Sequence, residues 1–208
     1  MSPGAARELG GVTVPFRTPA TGPRARQEAT AFVGMVVFLA SWAMLFVSLF
    51  FAYGLVRSHA AVWPPPDLPR LPLLLPGLNT LVALAASLSL ARAGRTWRGG
   101  EPRTQAPWLA LAAALGTAFL VLQASVWTSL WRQGLRLDGG PYPSAFYALT
   151  GLHAAHVLVG LVALGWLALR AARGALGPAR QTPLRLWTMY WHFVGAVWLI
   201  LYVTVYVA

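Results

Sequence analysis

Five polar side chains sit in otherwise apolar surroundings: Asn79, Gln123, His153, His156 and His192. Histidine is the type here that ligates metal or haem. His153 and His156 are three residues apart, so they share one face of a helix. With His192, from Trp191-His192-Phe193, they could build a metal or haem site between two helices. Zinc takes three or four protein ligands, and a haem b can take one His from each of two helices. The other chemistry open to them is interhelical hydrogen bonding. Gly151, Ala154 and Ala155 would let helices approach closely enough for polar side chains to bond across. Carboxylates that would orient a metal-bound imidazole are missing from the apolar stretches. Gln123 could ligate, or make a buried interhelical bond. Asn79 could satisfy backbone freed around Pro76. The phenylalanines Phe32, Phe38, Phe46, Phe50 and Phe51 read as packing or lipid-facing surface.

All five acidic residues, Glu8, Glu28, Asp67, Glu101 and Asp138, fall between or before the apolar stretches. Pumps and ion channels need ionisable groups at depth, so this distribution weighs against a self-sufficient proton or ion pathway. No Gly-rich phosphate loop or nucleophile elbow is present. The absence of Cys excludes disulfides, iron–sulfur clusters and covalent c-type haem attachment.

The elements that must position these residues are membrane spans. Apolar residues make up 57% of the chain and charged residues 10%, against about 25% in a typical globular protein. The charge is also segregated. Uncharged runs long enough to cross a bilayer predict helices over residues 29–56, 72–91, 108–131, 144–169 and 186–208. Residues 1–28 are polar and Arg-rich, and are expected to be extended or poorly ordered. The first apolar run is too long for a signal-peptide core and reads as a retained helix. Pro64-Pro65-Pro66 and Asp138-Gly139-Gly140-Pro141 mark loops.

All 16 basic residues are arginine, giving a net charge of +11. A soluble domain with this charge would suggest nucleic acid as a partner. Here the arginines sit in short loops, where they set topology instead. The N-terminal segment, the second loop and the fourth loop carry twelve, against four in the first and third. The positive-inside rule then places the N-terminus in the cytoplasm and the C-terminus outside. Trp63, Trp97, Trp108, Trp131 and Trp187 fall near span ends, as in an interfacial aromatic belt. No internal repeat of the transporter kind is visible.

Four stretches in order resemble subunit III of the haem–copper oxidases, in its five-span bacterial form. They are Gly34-Met35 with Ser41, Met44, Phe46 and Ala52-Tyr53; Trp63-Pro64-Pro65-Pro66 with Pro76 and Leu78-Asn79-Thr80; Tyr142, Ser144, Phe146-Tyr147 and Thr150-Gly151-Leu152-His153-Ala154-Ala155-His156-Val157; and Tyr190-Trp191-His192-Phe193 with Val197-Trp198 and Leu201-Tyr202. The resemblance covers residues 29–208. The chain departs from that family at three membrane carboxylates. Trp42 and Val126 stand where the family has Glu, and Gly195 where it has Asp.

The resemblance implies an all-α bundle in which helices one and two splay from helices three to five around a lipid-filled cleft. It implies a non-catalytic subunit with no cofactor of its own, Asn79, Gln123, His153, His156, Trp191 and His192 serving structure or the lipid cleft. Haem and copper would belong to the catalytic subunit I. That subunit, subunit II and phospholipid would be the partners, in the bacterial plasma membrane. Three other readings remain open at this point: an accessory subunit of a nitric oxide reductase-type complex, a stand-alone haem-b redox protein, and a small transporter.

Overall fold

A computed structural model describes residues 22–66, 68–96, 102–176 and 181–207. The segment with Arg7, Glu8 and Arg17, together with Asp67, Trp97, Arg98, Glu101, Arg180 and Ala208, lies outside the described residues. The described residues are helical, without strands: α1 (Pro23–His59), α2 (Leu74–Thr96), α3 (Ala106–Arg132), α4 (Pro141–Ala172) and α5 (Thr182–Leu201). A 3₁₀ turn, Pro102–Gln105, leads into α3, and α5 ends in π-helical turns, Tyr202–Val207. All five helices are long and apolar enough to cross a membrane.

The spans start and stop further out than hydropathy predicts, for local reasons. α1 begins six residues before position 29, because Pro23 suits a first helical turn and the polar residues Arg26, Gln27 and Glu28 are good helix formers. At 37 residues it is about 55 Å long, more than the roughly 45 Å of a bilayer with its headgroups. α4 likewise starts at Pro141 rather than Ser144. Gly140 holds the turn before it with φ of +113°, a conformation that strains any residue bearing a Cβ. The Trp63–Pro64 peptide bond in the first loop is cis.

Packing corrects the expected splay. α2 makes its most extensive contact with α3 and also packs on α5, so it belongs to the main bundle. Only α1 stands apart. It packs on α4 and α5, not appreciably on α2. Its buried hydrophobic residues, Leu39, Phe46 and Tyr53, recur every seven positions. That is a single narrow seam, with the other faces turned outward. The outward row of α2 is leucine throughout: Leu74, Leu78, Leu81, Leu84 and Leu88. In water such a continuous apolar surface would aggregate, whereas in lipid it is simply solvated.

Of the described belt tryptophans, Trp108, Trp131 and Trp187 sit near helix ends, two of them beneath arginines, whereas Trp63 lies in the first loop. The Arg92 guanidinium lies 5.2 Å over the Trp108 ring, and Arg136 lies 5.3 Å over Trp131. These cation–π pairs suit an interface where one end is apolar and the other wet.

Candidate functional site

α4 turns both central histidines inward. His153 is 1% exposed and His156 4%. Aromatic side chains from three helices enclose them. The Trp42 ring of α1 meets His156 edge-on at 3.7 Å between centroids, and Phe46 lies 5.2 Å from His156 and 6.3 Å from His153. Phe119 of α3 and Trp198 of α5 complete the shell around His153, at 5.9 and 5.4 Å. The His156 Nδ1 sits 2.6 Å from the Leu152 carbonyl one turn back, which makes Nδ1 the N–H donor. Neither nitrogen of His153 meets a protein hydrogen-bond partner. The interhelical bonds expected of these imidazoles are therefore ring contacts instead.

Neutral polar groups tie the helices together nearby. Asn79 Nδ2 donates across to the Phe119 carbonyl of α3 at 3.2 Å, rather than serving the backbone near Pro76. Thr80 Oγ1 takes that local role, donating to the Pro76 carbonyl at 2.9 Å. The same Thr80 oxygen accepts the Trp198 indole N–H at 3.0 Å. Gln123 makes the expected interhelical bond, its Nε2 donating to the Tyr206 hydroxyl at 3.3 Å. Trp127 donates to Thr150 Oγ1 at 3.1 Å, and the Tyr190 hydroxyl donates to the His156 carbonyl at 2.9 Å. In membrane bundles each such bond contributes about 0.6–2 kcal/mol. Thr80, Tyr190 and Trp198 stood only within the stretches that carry the resemblance, and Tyr206 was not singled out from sequence. Tyr190, Trp191, Val194, Val197, Trp198 and Leu201 are all buried on α5, at helical spacing. That spacing was the available signal.

Trp191 is buried where two glycines admit it. A Cβ at Gly116 would lie 2.6 Å from the Trp191 ring, and one at Gly160 would lie 3.1 Å from it. Close approach therefore falls at Gly116 and Gly160, whereas Gly151 has open space around it. His192, the next residue, faces the other way. It is exposed and lines a groove between α5 and α2 with Leu90, Ala91 and Gly94. It does not join His153 and His156, so the three-histidine site considered from sequence does not assemble. Among the described residues no group of three or more His, Cys, Asp or Glu converges as metal ligands.

The three departures from the carboxylate pattern each have a structural setting. Trp42 packs on His156. Val126 is buried, 1% exposed, within the core. Gly195 borders a small void of about 20 Å³ shared with His153, Trp191 and Trp198.

The arrangement interlocks helices. It defines a multi-pass helical membrane protein whose buried polar atoms hold one span against the next. The sequence matches the family described as cytochrome c oxidase subunit III over residues 25–208. It is 32% identical to cytochrome c oxidase subunit 3 of Synechocystis over 174 residues, covering 83% of this chain and 73% of the relative. The corresponding protein of Thermostichus vulcanus is 30% identical over 176 residues, 84% and 86% of the two chains. A probable cytochrome c oxidase subunit 3 of Mycobacterium tuberculosis is 33% identical over 175 residues, again 84% and 86%. The chain belongs to the cytochrome c oxidase subunit III family. It is thus a subunit III of the haem–copper oxidase type, and the nitric oxide reductase, lone haem-b and transporter readings are not favoured.

Proposed function

We propose that this chain braces the catalytic subunit of a bacterial respiratory oxidase and holds phospholipid beside it, leaving the redox chemistry to that partner. The family match over residues 25–208 carries the reading. The interior supports it: neutral ties such as Gln123–Tyr206 and Trp198–Thr80 are suited to rigidity rather than to moving electrons. Subunits I and II are the assigned partners, with haem and copper on their side. The lipid sites are two grooves flanking the start of α5, about 440 and 580 Å³, which share Arg185 and Met189. Asn79, Gln123, His153, His156 and Trp191 hold the helices that wall them.

Purification in mild detergent with visible spectroscopy tests this. The expected result is a Soret band only in fractions that contain larger partner chains. A Soret band travelling stoichiometrically with this chain alone, and lost in His156→Ala, would overturn it.

The arginine distribution supports a cytoplasmic N-terminus and the plasma membrane as location. The chain has no Cys, so single cysteines report sidedness directly. Ala60→Cys, just beyond α1, is expected to react with an impermeant maleimide added outside intact cells. Ala175→Cys, just beyond α4, is expected to react only after lysis. The reverse pattern would invert the topology.

A further inference from the structure

A cavity of about 700 Å³ lies at the first-loop end of the bundle, between the last turn of α1, the first loop and the first turn of α4. That volume is in the range of sites for small organic molecules, about 300–1,000 Å³. Its lining is largely apolar, with Leu55 and Val56 from α1 and Leu68 from the loop. Trp63 supplies an aromatic wall. Its ring meets Tyr142 of α4 edge-on at 4.7 Å and Tyr53 of α1 at 5.6 Å, so the indole is braced from both helices. Tyr142 and His59 add hydrogen-bonding groups to the lining.

The chemistry of His59 narrows what fits. The Ser58 hydroxyl donates to the Leu55 carbonyl at 3.0 Å and lies 3.3 Å from His59 Nδ1. With its proton committed to the carbonyl, the Ser58 oxygen accepts from Nδ1–H, and Nε2 is left as an acceptor. The cavity therefore suits a flat ring beside Trp63, a hydroxyl that donates to His59 and a second oxygen at Tyr142. A hydrocarbon tail would leave past Leu55, which is 46% exposed on the outward side of α1. Ring, hydroxyls and tail together make a prenylated hydroquinone. We propose that this cavity binds a membrane quinol, in preference to the oxidised quinone, whose two carbonyls only accept. An acyl chain alone would fill the apolar strip and leave His59 and Tyr142 unmet. The ring is held without being oxidised or reduced. Once seated between α1 and α4, it clamps the far end of the loosely packed α1 to the main bundle.

The test uses the whole oxidase complex containing this chain, in phosphatidylcholine nanodiscs, with Leu68→Cys placed in the cavity wall. Maleimide labelling of this chain is followed by its mass shift. The probe is decylubiquinol, prepared by borohydride reduction and kept under argon. It is expected to suppress labelling of Leu68→Cys saturably and to leave Ala175→Cys, beyond the opposite end of α4, unaffected. Decylubiquinone should need a concentration about two- to ten-fold higher, the scale of one neutral hydrogen bond. Tyr142→Phe should raise the half-protecting concentration of the quinol by a similar factor, and His59→Leu, at an exposed position, should abolish the preference for the reduced form. Decanol, a tail without a ring, should not protect. Protection by decanol equal to that by the quinol, equal protection by quinol and quinone, no response to either variant, or no protection at all overturns the assignment.

Discussion

Trp198→Ala is expected to lower the stability of the bundle by about 3–5 kcal/mol, the range for truncating a buried aromatic. Trp198 is 1% exposed. Its ring meets Phe119 edge-on at 4.8 Å and lies 5.4 Å from His153 and 6.3 Å from Tyr206. Its N–H bonds Thr80. One side chain therefore links α5 to α2, α3 and α4. In lipid the loss is mostly dispersion, because hydrocarbon outside the bundle is no less apolar than the core inside it. Trp198→Phe keeps a six-membered ring but loses the pyrrole part of the indole and the bond to Thr80, so an intermediate loss of about 1–3 kcal/mol is expected. Trp131→Ala, at a site 48% exposed, should cost under about 1 kcal/mol. Thermal unfolding in detergent ranks the three. A Trp198→Ala protein as stable as Trp131→Ala would mean that α5 is not held by this residue.

Span number, class and family motifs were legible in the sequence because the bilayer enforces them residue by residue. An uncharged run of about 20 residues has few alternatives to a helix. Span ends were less legible. Hydropathy stops at Glu28, but the backbone does not, since polar helix formers behind Pro23 continue the same hydrogen-bond ladder. Which helices touch was not legible either. The expected splay of α2 with α1 failed because α2 is bound to α3 through Asn79 and to α5 through Thr80. A lone Asn or Thr carries no label for its partner.

The histidines show the same limit. Spacing placed His153 and His156 on one face correctly. It could not say that His192 faces a groove while its neighbour Trp191 faces the core. Adjacent helical residues point about 100° apart, and in an apolar helix nothing in the sequence marks which direction is inward. Trp191 is the inward one because two other helices leave glycines opposite it, a fact distributed over residues 116, 160 and 191.

That three-residue arrangement makes the second large prediction. Gly116→Val is expected to abolish accumulation of the folded chain, or to lower its stability by about 3 kcal/mol, the upper end for overpacking. The first added carbon would already stand 2.6 Å from the Trp191 ring and 3.3 Å from Leu161 Cδ1. Trp191 cannot retreat, because Gly160 lets it lie against α4 on the other side, with only 3.1 Å to a Cβ there. Relief must come from moving a helix or evicting the indole. Gly195→Ala is the matched control on α5. Its nearest neighbour would be Ser87 Oγ at 3.8 Å, an ordinary contact. Helix propensity then dominates, and a gain of up to about 1 kcal/mol is expected. The two changes should therefore have opposite signs. Adding Trp191→Leu to Gly116→Val should recover part of the loss, since both act on one space and cannot be additive. If Gly116→Val is tolerated, or if Trp191→Leu deepens its defect, then the indole is not wedged between α3 and α4 and the tie through α5 has another origin.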